Sequence, residues 1–372
     1  MARQALHGSI KVWLGKAQNY SMLLHTHPSF HDILRRAENI DKFKGGHIAN
    51  SAANALLAMK QYKEAIITYG AALKSALGNG ANKSNVAIAI NNISLCLLYQ
   101  NLLAAKHRID ILNYDLCLIL DDKELLFINR LSLFSYQSLS GCWDEAKYTW
   151  KELDNIGRNW VKKIYREGYA ESMFALNQFF QGLLQEEYLK TAEQLAIDDS
   201  NRSTLRNICR LRGTWRLAQQ EWMLATDSFH ESLKMARERG LIDEESETGL
   251  ALAKVHLGQF YSPDEARHEA ERLSNLREPA HHYLAMLWRE IDDLEQAKKH
   301  AFAAYKWAWA DGEPYVHRYE LDKATELLKE LNVPIPNLPP YDPLKDEPFP
   351  WEADLRKAIE ELKTQKESKK KR

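Results

Sequence analysis

A chain of 372 residues exceeds what one hydrophobic core normally organises, so it either divides into domains or extends as an array of repeats. Hydrophobic residues at 45% exclude a disordered chain, and the sparse Gly (16) and Pro (11) leave long stretches of straight-chain helix formers. With 50 Lys and Arg against 51 Asp and Glu, the formal charge of -1 supplies no global field for a polyanion or an anionic membrane.

The N-terminal segment, residues 1–44, reads as helical and lacks the long apolar core of a signal peptide. His25, His27 and His31, with Asp32 beside them, have ligand-like spacing only on an ordered segment; loop histidines are the expected reading, and no metal or other cofactor is expected. Cys96, Cys117, Cys142 and Cys209 form no CxxC or Cys/His pattern and read as buried hydrophobes in a reducing, cytoplasmic compartment. The most apolar run, 109–120, is broken by Asp, Asn and Tyr well short of a membrane span.

From residue 45 to 332 one pattern recurs: a bulky residue, an Ala three later, a large residue four after that and a small or apolar one three further on. Tyr62, Ala65, Tyr69 and Ala72 give the first copy. Trp143, Ala146, Trp150 and Leu153 give another, followed by Trp222, Ala225, Phe229 and Ser232, and by Leu294, Ala297, Ala301 and Ala304. Weaker copies surround Ala105 and Ala266. These spacings put every member on one helical face. Ahead of the copies lie further helical stretches, at 48–59, 85–99, 125–139, 204–218, 247–257 and 280–288. The repeating unit is therefore a helix pair recurring roughly every 40 residues. The gap between Ala146 and Ala225 holds one more pair, near 165–180 and 184–196. The small Ala lets helices approach while the aromatic residue fills the groove to the next pair. Gly141 and Gly240 fit turns that need a positive φ.

Beyond the array, a helix is expected over 319–331. Residues 333–349 carry Pro334, Pro336, Pro339 and Pro340 and form a stiff extended strap, expected to lie back over the last pair. The final segment, 350–372, is a helix with Leu355, Ile359 and Leu362 that caps the array, ending in the basic tail Lys363, Lys366, Lys369, Lys370, Lys371 and Arg372. Solvated disorder is expected for that tail. Trp307, Trp309 and Trp351 fit core, strap contacts or an exposed docking patch.

The Tyr62 to Leu73 string, Gly213 ahead of Trp222, Ala225 and Phe229, and Asp292-Asp293 before Leu294 and Ala297 resemble the tetratricopeptide repeat over about residues 45–310. Most copies lack the family's Leu-Gly, and the period is nearer 40 than the family's 34, so the chain is most similar to irregular bacterial arrays. Its C-terminal region resembles the tail of such arrays in bacterial signal-transduction ATPases. The resemblance implies an all-α, right-handed superhelical solenoid of about seven antiparallel helix pairs, closed by the strap and a capping helix, with a protein or peptide held on the concave face. In such grooves Asn side chains on first helices clamp a peptide backbone through donor and acceptor together, which points to Asn50, Asn54, Asn91 and Asn92. The cations of the family's chaperone-tail clamp would stand near Asn50, Leu131 and Ser132, so that ligand is not expected.

Arg206 and Arg210, four apart within the run Arg202, Arg206, Arg210, Arg212 and Arg216, make a candidate carboxylate site, against the alternative of a solvated face paired with neighbouring Glu. Gly78 to Ser84 imitates a phosphate loop, but Asn82 replaces its second Gly and no strand precedes it, so it reads as a turn. His281 and His282 point to different faces. Acidic runs such as Asp243 to Glu245 mark helix starts. No hydrolase elbow, HExxH or apolar carboxylate pair is present. The reading is a non-enzymatic scaffold or sensor binding a protein segment. Its rivals are a regulatory partner of a bacterial signalling or phage-defence ATPase or effector, and an RNA-binding array, for which the basic tail alone offers phosphate contacts.

Overall fold

Side chains that start helices and left-handed residues that end them divide the chain as the periodicity requires. Asn201, Asp243, Ser262 and Asp293 each accept from the backbone N–H three residues ahead, at 3.3, 3.2, 3.2 and 3.1 Å. Turn residues at positive φ include Gly141 (74°) and Gly240 (65°), as expected of both. The computed structural model describes residues 49–50, 52–54, 56–57, 60–78, 83–161, 168–198 and 200–370. His25, His27, His31 and Asp32 lie outside the described residues, as do Asn82, Tyr165, Lys371 and Arg372. Among the described residues every regular element is a helix, with one isolated bridge between Gly312 and Tyr315. None of these helices is long and apolar enough to cross a membrane.

The chain forms two compact units, the first holding residues 1–136, 144–157 and 342–372, the second 137–143 and 158–341. The array expected as one stretch over 45–332 is thus shared between them, and the strap is divided at Tyr341. Unit 1 contains α1 (Tyr62–Gly78), α2 (Lys83–Tyr99), α3 (Leu103–Leu120), most of α4 (Lys123–Leu139) and of α5 (Trp143–Val161), and a C-terminal helix taken up below. Unit 2 contains α6 (Tyr169–Phe180), α7 (Glu186–Asp198), α8 (Arg202–Ala218), α9 (Trp222–Arg237), α10 (Glu244–His256), α11 (Pro263–Ser274), α12 (His281–Glu290), α13 (Leu294–Trp309) and α14 (Arg318–Glu330). The C-terminal helix is α15 (Glu352–Lys370).

In unit 2 successive helices pack on each other, and α6, α8, α10 and α12 also touch in a row. The marker residues Ala225, Ala266 and Ala297 are buried, and Phe229 is fully enclosed. Two glycines make room for it. A Cβ at Gly213 on α8 would stand 2.6 Å from the Phe229 ring, and one at Gly249 on α10 would stand 2.5 Å from it. The first part of the strap does lie on the last helices: Val333 and Leu338 pack against their core, and the Trp309 indole donates to the Pro339 carbonyl at 2.8 Å.

The last helix departs from expectation. Instead of capping the last pair, α15 packs on α1 and α3 inside unit 1, where Trp351, Leu355 and Ile359 join the core of Ala65, Tyr69, Ile93 and Ile109. The Trp351 indole lies over Gly70, where an added Cβ would come within 3.1 Å of the ring. Arg108 on α3 holds the incoming chain through Asp346, Glu352 (3.1 Å) and the Glu347 carbonyl (3.4 Å). The basic end is ordered through Lys370 rather than solvated coil. Lys363 lies 3.8 Å from Asp115, and Lys366 donates to the Leu118 and Ile119 carbonyls at 3.4 and 3.1 Å, where a cation complements the end of α3. The apolar stripe of α15 explains its choice of place: unit 1 offers both an apolar surface and carboxylate-matching Arg108.

Candidate functional site

The expected asparagines fall in unit 1. Asn54 accepts from the Tyr69 hydroxyl at 2.5 Å. Asn91 accepts from Asn113 at 2.8 Å, and its own amide nitrogen is buried with no partner among the described residues. Asn50 and Asn92 are half-buried on helical backbone. The arginines fall in unit 2, so the structure does not bring the two sets into one described site. Arg210 reaches Asp243 (3.7 Å) and Glu245 (3.4 Å). Burial works to raise the Asp243 carboxyl, but Arg210, Ser232 and Ser246 outweigh it and hold the group below the usual carboxylate range. Arg206 donates to Asn207 at 3.3 Å. Arg202 pairs with Glu238, Arg212 with Glu186 and Glu193, and Arg216 with Glu186 and Glu221. The run is thus largely the carboxylate-paired face weighed as the alternative, with Arg210 engaged internally.

A different constellation gathers around α14. Tyr283 on α12 reaches past α10 to donate to the Thr214 hydroxyl on α8, 3.0 Å away. Tyr319 on α14 lies against Phe179 and Phe180 of α6, with ring centroids 5.0 and 5.2 Å apart. Beside it opens a pocket of about 410 Å³ lined by Trp143, Phe180, Gln181, Leu183, Arg318, Tyr319 and Asp322. Its walls are fixed from behind. Gly141 lets the Arg318 stem pass its turn, because a Cβ there would stand 2.7 Å from Arg318 Cγ. The Arg318 guanidinium donates to both Glu313 oxygens (2.7 and 2.8 Å). Gln181 donates to Asn177 Oδ1 at 2.7 Å, and Asn177 donates to Ser138 at 2.8 Å. At the rim, Leu183 is 57% exposed and Asp322 is exposed with no ion pair among the described residues. Next to Tyr319, Glu320 has an oxygen shut off from solvent without a hydrogen-bond partner among the described residues. Burial pushes its carboxyl up to about 7, and the charge of Glu245 adds to the rise.

Two further polar clusters are internal. In unit 1 the fully buried Lys106 donates to Asp110 (2.5 Å), Ser132 (2.9 Å) and Ser94 (3.2 Å), tying α2, α3 and α4 together. In unit 2 the Ser274 hydroxyl donates to the Ala270 carbonyl (2.7 Å), so it accepts from Trp288 and from His300 Nε2, both at 3.1 Å. That leaves His300 Nδ1 to accept from His281 Nδ1 at 2.9 Å. With its proton committed to a backbone carbonyl, Ser274 is not arranged as a nucleophile. Burial lowers the His300 imidazole to about 4, with His281 adding to the effect, so the chain is neutral. Among the described residues no three His, Cys, Asp or Glu side chains converge to hold a metal.

No family model and no curated protein matches the chain. The pocket therefore rests on geometry alone. Sequence reasoning placed Tyr283 and Tyr319 on helices but assigned them nothing. The signal available in the sequence is an aromatic residue within each of the helical stretches 280–288 and 319–331.

Proposed function

We propose that the chain is a non-enzymatic scaffold or sensor that holds a segment of another protein in the pocket between α6 and α14. The observation that carries this reading is the pocket itself. It combines aromatic walls, an exposed Leu183 and an exposed carboxylate, whereas Arg210 and Arg212 are spent on internal pairs. Polar groups set among aromatic rings are what orient a ligand. The row of α6, α8, α10 and α12 supports the further reading that the repeats are of tetratricopeptide type, stacked as about seven antiparallel pairs in a right-handed solenoid. Asn50, Asn54, Asn91 and Asn92 are proposed as a separate peptide-holding set within unit 1.

Panning a random dodecapeptide library over the immobilised full chain tests the assignment. Peptides should be retained by the wild-type chain and released by Leu183→Ser, which removes the apolar contact at an exposed position without adding charge; circular dichroism of the variant should match the wild type. Equal retention by the variant, or no retention by either protein, would refute the pocket as the binding site.

A further inference from the structure

We infer that the pocket selects a cationic side chain, arginine or lysine, in the segment it holds, an inference that rests on the proposed binding role. The argument is one of charge and ring chemistry. Arg318 is the cation lining the pocket, and it is held by both Glu313 oxygens, at 2.7 and 2.8 Å. Asp322, one turn further along the same face of α14, carries a charge that no ion pair balances among the described residues. Lys323 beside it is engaged by Glu326 at 2.7 Å. The pocket together with Glu313 therefore holds one surplus negative charge.

Trp143, Phe180 and Tyr319 contribute three aromatic rings to the lining, and ring faces attract cations. The Tyr319 hydroxyl is pushed up by burial, so it brings no competing charge near neutrality. An acidic ligand would have to draw Arg318 off Glu313 while approaching Asp322. A purely apolar ligand would cover Asp322 without satisfying it. A guanidinium or ammonium group on a long apolar stem meets all of these conditions: the stem and charge lie on the rings and the N–H groups reach Asp322. A volume of about 410 Å³ is enough for one such side chain with its flanking backbone.

The composition of the retained dodecapeptides decides the matter. On the wild-type chain they should be enriched several-fold in Arg and Lys at one position. The enrichment should vanish on Asp322→Asn, and on Asp322→Lys it should turn toward Asp and Glu. Asp322 is exposed, and circular dichroism of both variants should match the wild type. Retained peptides that are acidic or apolar, or a cationic preference unchanged by Asp322→Asn, would overturn the inference while leaving the binding role intact, provided Leu183→Ser still releases them. Failure of the wild-type chain to retain any peptide would overturn both.

Discussion

Glu320 and His300 pull the pH dependence of stability in opposite directions, and each can be isolated. The Glu320 carboxyl moves from an ordinary 4.5 to about 7 on folding, so across that interval the folded chain holds a proton that the unfolded chain has lost. Its contribution is fully present below pH 4.5 and disappears as pH rises through 7. His300 moves from 6.5 to about 4, so its contribution is present above pH 6.5 and is lost as pH falls toward 4. Glu320→Gln keeps the shape of the protonated acid and cannot ionise. Thermal unfolding should show this variant several degrees more stable than wild type near pH 8 and nearly equal near pH 4.5, because a shift of this size is worth at most about 3 kcal/mol. His300 is present in both proteins and cancels from the difference. A stability difference independent of pH would show that Glu320 is not the buried, raised carboxyl described.

At the level of elements, the slot that receives Phe229 decides whether α8, α9 and α10 fit together. Replacing Gly249 by Ala improves helix propensity by about 1 kcal/mol. Against this, the new Cβ would stand 2.5 Å from the Phe229 ring, which also fills the space a Cβ on Gly213 would need. Phe229 is fully enclosed, so it has little room to move aside. Overpacking of this kind costs roughly 1–3 kcal/mol, so Gly249→Ala should be net destabilising in urea unfolding, and Phe229→Leu in the same chain should recover part of the loss. A neutral or stabilising Gly249→Ala would mean that the helices separate freely. These elements were legible because their signal is local. The stretch 204–218 matches α8 (Arg202–Ala218) within two residues, and the 3-4-3 spacing around Ala225 marks the start of α9 (Trp222–Arg237) at Trp222 but not its end. Gly213 was noticed as a family feature, whereas the matching role of Gly249 depends on a ring from another helix and left no periodic mark. The same reason hid the site. The partners of Arg210, Asp243 and Glu245, lie beyond the next helix, so the sequence left a ligand site and a carboxylate-paired face both open, and the Tyr283 bond to Thr214, 69 residues away, left no mark in it.

For the whole molecule, the consequential fact is that a core of unit 1 is completed by residues that follow all of unit 2 in the chain. Trp351 and Ile359 are nearly enclosed and Leu355 is fully so, packed with residues of α1 and α3. Removing a buried Trp side chain alone costs about 3–5 kcal/mol. Deleting residues 342–372 removes all three side chains, deprives Arg108 of Asp346 and Glu352, and takes Lys366 from the carbonyls at the end of α3. A helix that served only as a terminal cap on the last pair would, when deleted, weaken α13 and α14 first. The contacts of α15 predict the reverse. Hydrogen exchange followed by mass spectrometry should show protection lost in α1 to α3 of the truncated chain, while α8 to α13 exchange as in the full chain. Truncated protein that keeps full protection in α1 to α3 would refute the place of α15 in that core. Trp351→Ala in the full-length chain should produce the same pattern in milder form, which separates loss of the core contact from any effect of shortening the chain.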